Sequence, residues 1–163
     1  MTQILRLSPN GVDKYLNCPR EYWYYYKAGF RKRSKSATLI IGNVGHECAS
    51  SVIKSSYLKI LNDPVTMFRD LWRKAQEENE VEYSTTQSPQ SLEDTGMRLM
   101  DLFQDAWEKT GLIPLLDQDG EPFLERDLTV KLSDGISLYG ILDGAFISKI
   151  NGLVSAGDLK IPE

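Results

Sequence analysis

The sequence predicts an α+β fold in which helices lead into a three-stranded antiparallel meander, and three observations predict it. A capping residue followed by proline recurs at Ser8-Pro9, Asp63-Pro64 and Ser88-Pro89. Each pair suits a helix start, because the side-chain oxygen accepts from free amides and proline is favoured at the first helical position. Apolar residues then recur at helical spacing as far as Lys109. Past Gly111 the period shortens to two, and Ser133-Asp134-Gly135 and Ile150-Asn151-Gly152 supply hairpin-turn chemistry between the segments.

Taken in order, the helix opened by Ser8-Pro9 carries Val12, Tyr15 and Leu16 on one face, and Cys18-Pro19 interrupts it. Tyr22, Trp23, Tyr24, Tyr25 and Tyr26 follow as a dense aromatic segment, expected to pack this helix onto the domain in preference to stacking bases. Arg31, Lys32, Arg33 and Lys35 form a basic run that is either a solvated loop or a set of phosphate contacts, and its place before His46 favours DNA. Leu39 to Leu61 reads as a helix with Ile40, Val44, Cys48, Val52 and Ile53 near one face and His46 in its first half. Gly42 and Gly45 lower helix propensity there, so a close approach of backbone, or of a phosphate, is expected to require them. A lone histidine is more often a hydrogen-bonded structural group than a ligand, and composition alone leaves both roles open for His46.

Two further helices are predicted over roughly Pro64 to Glu80 and Pro89 to Lys109, with Phe68, Leu71, Trp72 and Ala75, then Met97, Met100, Leu102, Phe103 and Trp107, as core faces. The polar stretch Glu77 to Gln87 between them reads as a loop. Phe123 to Leu132, Ile136 to Ile147 and Gly152 to Lys160 are strand-like, which sets Asp143 in the second strand and Asp158 late in the third.

A chain of 163 residues with 41% hydrophobic content can bury one sizeable core, so a single domain over 1–163 is expected, with a helical insert at about 64–110. The formal charge of -4 excludes a surface coated in basic residues, so any nucleic-acid contact must come from a local patch. Cys18 and Cys48 are too few for a disulfide framework and lack a CxxC zinc spacing. A reduced, cytoplasmic setting and a soluble protein are expected, because Met1 to Arg6 holds no signal-like apolar run and no stretch approaches the length of a membrane span.

The chemistry concentrates in Gly42-Asn43-Val44-Gly45-His46, Glu125, Gly140-Ile141-Leu142-Asp143 and Asp158-Leu159-Lys160. A hard dication takes a few oxygen ligands and keeps positions open for water and phosphate, and Asp143 and Asp158 are the carboxylates to supply them. Lys160, two residues after Asp158, projects from the same face of a strand and is placed to orient water or stabilise transition-state charge.

These pieces resemble the PD-(D/E)xK nuclease superfamily, in particular its RecB-like branch, which includes CRISPR-associated exonucleases and helicase-linked nucleases. Gly42 to His46 matches a GxxxH motif, Gly140 to Asp143 a GxxD motif and Asp158 to Lys160 the DxK motif, in the order of that branch. Ser8-Pro9 through Asn17-Cys18-Pro19-Arg20-Glu21-Tyr22 looks like its opening. The resemblance implies an αβββαβ core, here truncated after the third strand, since the chain stops at Glu163 before a final helix and strand. It implies an Mg²⁺- or Mn²⁺-dependent deoxyribonuclease, an exonuclease by preference, with the metal held by His46, Asp143, Asp158 and the carbonyl of Leu159. Lys160 is then catalytic and Glu125 supporting. DNA is the implied partner, together with a helicase or another recombination, repair or CRISPR-related protein. Some relatives carry an iron-sulfur cluster; Cys18 matches its first cysteine but the other three have no counterpart, so no cluster is expected. The alternative is a catalytically inactive module that binds nucleic acid or a protein partner.

Overall fold

The computed structural model describes residues 5–158 and 160. In chain order its elements are β1 (Leu5–Leu7), α1 (Pro9–Asn17), α2 (Pro19–Tyr22) running into a π-helical turn (Trp23–Lys27), β2 (Ser34–Ser36), α3 (Ala37–Leu58), α4 (Pro64–Glu78) and β3 (Glu80–Glu82). Then come α5 (Pro89–Lys109), β4 (Leu112–Pro114), β5 (Leu124–Ser133), β6 (Ile136–Ser148) and β7 (Val154–Gly157). They form two compact units, one of residues up to Lys32 with Arg126–Leu142, the other of Arg33–Glu125 with the residues from Asp143 onward.

In the first unit, Ser8 caps α1 as expected: its Oγ accepts from the Gly11 amide at 3.0 Å, with Pro9 in the first turn. Cys18 closes α1 and opens α2, its sulfur accepting from the Glu21 amide at 3.5 Å. The aromatic segment differs from expectation, for its rings pack mainly on one another. Tyr15 meets Tyr22 edge-on at 5.4 Å, Tyr22 meets Tyr26 at 5.0 Å, and Trp23, Tyr24 and Tyr25 remain exposed. Consecutive aromatics wind around a helix axis, so no single face can bury them all. Tyr15 and Leu16 are exposed too, and the buried position of α1 is Gly11. The turn Asp134-Gly135, with Gly135 at φ 88°, joins β5 to β6, while β1 lies parallel to the start of β6 in the register Leu5 with Ile136 and Leu7 with Leu138.

The second unit is built on α3, α4 and α5. Asp63 caps α4 by accepting from the Val65 and Thr66 amides, both at 3.1 Å, and Ser88 caps α5 in a reciprocal box with Ser91. Ile40, Ile41, Val44 and Cys48 of α3 pack with Phe68 and Trp72 of α4 and Met100 of α5. Fully burying side chains such as Phe68 and Trp72 contributes roughly 2–3 kcal/mol each. Leu102, expected on the core face, is instead exposed, because it falls on the side of α5 away from Met100 and Phe103. Helix α3 ends at Leu58, where Lys59 adopts the left-handed region at φ 56° and donates back to the Ser55 and Ser56 carbonyls.

The stretch expected to be a loop after α4 contains β3, paired in parallel with β2 in the register Ser34 with Glu80 and Ser36 with Glu82. Val81 packs against the helical core while Glu80 and Glu82 point outward, Glu80 to Arg33 at 3.1 Å and Glu82 to the Ser34 hydroxyl. A second cluster of Ile53, Trp107 and Phe146 fastens β6 to α3 and α5, with the Trp107 and Phe146 rings 5.3 Å apart. The end of β6 is flanked by β4, with Leu112 opposite Ser148, and by β7, with Ala145 opposite Ala156. Of the predicted meander, β6 and β7 pair antiparallel and β5 also pairs with β6, but with β4 antiparallel and β1 parallel on β6 the sheet among the described residues is mixed and five-stranded, and β7 covers only Val154–Gly157 of the segment expected to be its third strand.

Candidate metal centre

His46 lies in α3, opened by Ser36, whose Oγ accepts from the Leu39 amide at 3.3 Å. Burial of Val44, Cys48, Ala49 and Val52 on one side of this helix fixes its rotation and turns His46 outward, with a side chain 30% exposed. Its Nδ1 stands 3.6 Å from Glu125 Oε1 and 3.7 Å from Asp143 Oδ2. One donor atom from each of these three residues lies within 4.8 Å of the other two.

Asp143 and Asp158 are brought together by backbone register. Gly144 pairs with Gly157 across β6 and β7, and one step further along both strands come Asp143 and Asp158. The Phe146 ring lies over both glycines: a Cβ would meet it at 2.3 Å on Gly144 and 2.5 Å on Gly157. The glycines therefore let the aromatic ring close over the strand pair beside the two acids. Asp158 itself follows the end of β7, so the strand alternation expected to align it with Lys160 does not operate there. The two side chains still meet, Lys160 Nζ to Asp158 Oδ2 at 2.7 Å.

That contact holds the Asp158 carboxyl below its ordinary range, with further lowering from Asp143 and His46, and raises the Lys160 ammonium. A lowered carboxyl contributes above its usual pKa and loses its contribution as pH falls through the lowered value. A raised ammonium contributes below its usual pKa and loses it as pH rises through the raised value. The charged pair accordingly spans the whole neutral range.

Glu125 carries a signal that its sequence context did not reveal. It is the second residue of β5, yet its φ is 47°, in the left-handed region that non-glycine residues rarely occupy. Such conformations cost on the order of 1–3 kcal/mol and cluster where a side chain must be aimed. Ser50, one turn beyond His46 in α3, donates from Oγ to Glu125 Oε1 at 3.3 Å. Neither Ser50 nor the glycine pair Gly144 and Gly157 was singled out in the sequence, since each acts only on a partner remote along the chain.

The donor set fits a hard dication: an imidazole and two carboxylates converge, and a third carboxylate, paired with Lys160, stands beside them. If Ser50 orients Glu125 toward such an ion, Ser50→Ala weakens Mn²⁺ binding about tenfold in calorimetry while Ser50→Thr restores it. Equal affinities in all three proteins would remove Ser50 from the centre.

The remaining predicted site residues are less concentrated. Leu159 lies outside the described residues. Arg31 donates to the Tyr25 and Phe30 carbonyls and stacks 3.6 Å above the Tyr25 ring, and Arg33 pairs with Glu80, so two of the four cations of the basic run are engaged within the protein. Lys32 is exposed, and exposed Lys35 belongs to β2. Cys48 is buried, which pushes its thiol up to about 12 and leaves it inert at neutral pH, and Cys18 serves as a helix cap. Among the described residues no helix is long and apolar enough to cross a membrane.

One imidazole from a helix thus faces two carboxylates, one near the start of β5 and one within β6, a group that could hold a metal ion. The chain matches the PD-(D/E)XK nuclease superfamily over residues 6–152 and belongs to that superfamily. Its members are typically metal-dependent nucleases, which bind nucleic acid and use divalent ions. The matched region contains His46, Glu125 and Asp143 and ends before Asp158 and Lys160. No curated protein matches the chain.

Proposed function

We propose that this protein is an Mg²⁺- or Mn²⁺-dependent deoxyribonuclease of the RecB-like branch, acting as an exonuclease. The observation that carries the proposal is the convergence of His46, Glu125 and Asp143 within 4.8 Å, with the Asp158–Lys160 pair beside Asp143. A divalent cation bound there supplies Lewis acidity and a water of lowered pKa. His46, Asp143 and Asp158 hold it, Glu125 completes or orients the set, and the Leu159 carbonyl is the proposed fourth ligand from the DxK segment. Lys160 faces the attacking water and the charge that grows on the phosphoryl oxygens as the new P–O bond forms and the leaving oxygen departs. The basic run of Arg31, Lys32, Arg33 and Lys35 is the proposed source of phosphate contacts.

The test is degradation of end-labelled DNA by the purified chain in Mg²⁺ or Mn²⁺, abolished by chelation. Retention of DNA without cleavage in either ion would favour the inactive binding module. A second measurement separates chemistry from metal binding. Lys160→Ala is expected to slow cleavage on the order of a hundredfold or more while leaving Mn²⁺ affinity intact, and to raise the Asp158 carboxyl back toward its ordinary range in an NMR titration. Undiminished cleavage would deny Lys160 a catalytic role.

A further inference from the structure

A cleft of about 520 Å³ opens beside His46 and continues along the first half of α3, past Thr38, Leu39, Gly42 and Asn43. Gly42 stands in mid-helix, where glycine is disfavoured relative to alanine. Packing within the protein does not require it, because a Cβ built on Gly42 meets no atom within 4 Å. Elsewhere the reason for a glycine is plain: a Cβ on Gly96 would fall 1.9 Å from the Phe68 ring. The room at Gly42 faces the cleft.

The character of the lining limits what enters. Among the described residues no lysine or arginine borders the cleft, and its carboxylates are Glu47 and Glu125. A second phosphate would be repelled there. Leu39, 53% exposed, offers an apolar surface, and Thr38 and Asn43 offer neutral hydrogen-bonding groups. A deoxyribose and its base present those complementary features, an apolar sugar face and uncharged polar edges.

Building on the nuclease reading, we infer that this cleft seats the nucleoside part of the nucleotide next to the scissile phosphate, with Gly42 leaving space for the sugar against α3. Glycine here trades helix stability for substrate access, so its replacement separates the two. Leucine is a good helix former and fills the space that alanine only begins to occupy.

Gly42→Ala and Gly42→Leu are compared with the unaltered chain by thermal melting, Mn²⁺ calorimetry and binding of a fluorescein-labelled single-stranded oligodeoxynucleotide in Ca²⁺. The alanine variant is expected to melt a few degrees higher. Both variants keep their Mn²⁺ affinity, and the leucine variant binds the oligonucleotide about tenfold more weakly with an unchanged salt slope, since no phosphate contact is lost. Unchanged binding by Gly42→Leu, where the unaltered chain binds Mn²⁺ and the oligonucleotide, would overturn the inference alone. A reduced salt slope would overturn its nucleoside assignment. Failure of the unaltered chain to bind Mn²⁺ would overturn the nuclease reading and this inference with it.

Discussion

Replacing Asp143 by alanine is expected to abolish Mn²⁺ binding and to reduce DNA cleavage by at least about a thousandfold. Asp143 faces His46 at 3.7 Å, stands next to Asp158 and has a side chain only 16% exposed. Removing it deletes a central negative ligand from a site that must hold a dication. Asp158→Ala is expected to weaken the metal less, because that side chain is 65% exposed and already shares its charge with Lys160. Calorimetry on the two variants checks both statements. Wild-type Mn²⁺ affinity in Asp143→Ala would remove the metal centre from this position.

The largest effect on stability is expected at Gly96. A single added methyl would meet Phe68 at 1.9 Å from one ring carbon and 2.1 Å from another. That ring is 1% exposed and shares its cluster with Trp72 and Met100, so it cannot swing into solvent. Overpacking of this kind costs roughly 1–3 kcal/mol or more, against a gain of about 1 kcal/mol from replacing glycine in a helix. Gly96→Ala is therefore expected to lose about 1 kcal/mol or more in urea unfolding, or roughly 3 °C or more in melting temperature. An unchanged or raised midpoint would mean that α4 and α5 pack less closely here than the ring contact requires. The opposite sign expected for Gly42→Ala makes the two glycines a matched control: same residue, same secondary structure, different reason.

Much of the helical part was legible because its signals are local. Ser8, Asp63 and Ser88 each satisfy amides within three residues, so the cap and the proline after it mark a helix start whatever the rest of the chain does. The turn at Asp134-Gly135 is local in the same way. Where local reasoning failed, a distant partner decided. Glu80–Glu82 is polar enough to read as a loop, yet it pairs with Ser34–Ser36, which no nearby residue announces. The aromatic run was expected inside because aromatics usually are, but its consecutive spacing scatters the rings around the helix.

For the site, the amino-acid sequence by itself determined the donor types and their order: an imidazole in a helix, an acid opening one strand, an acid within the next and an acid with a lysine after the last. Charge, softness and alternation are properties of residues and short segments, so they can be read along the chain. Only the tertiary structure decided which donors converge. The register of Gly144 with Gly157 set Asp143 next to Asp158, the packed face of α3 turned His46 and Ser50 toward Glu125, and the left-handed φ of Glu125 aimed its carboxylate at them. Distances between such groups depend on strand register and helix rotation, which are set by burial of Phe146, Val44 and Cys48 elsewhere in the fold and not by the sequence around the ligands themselves.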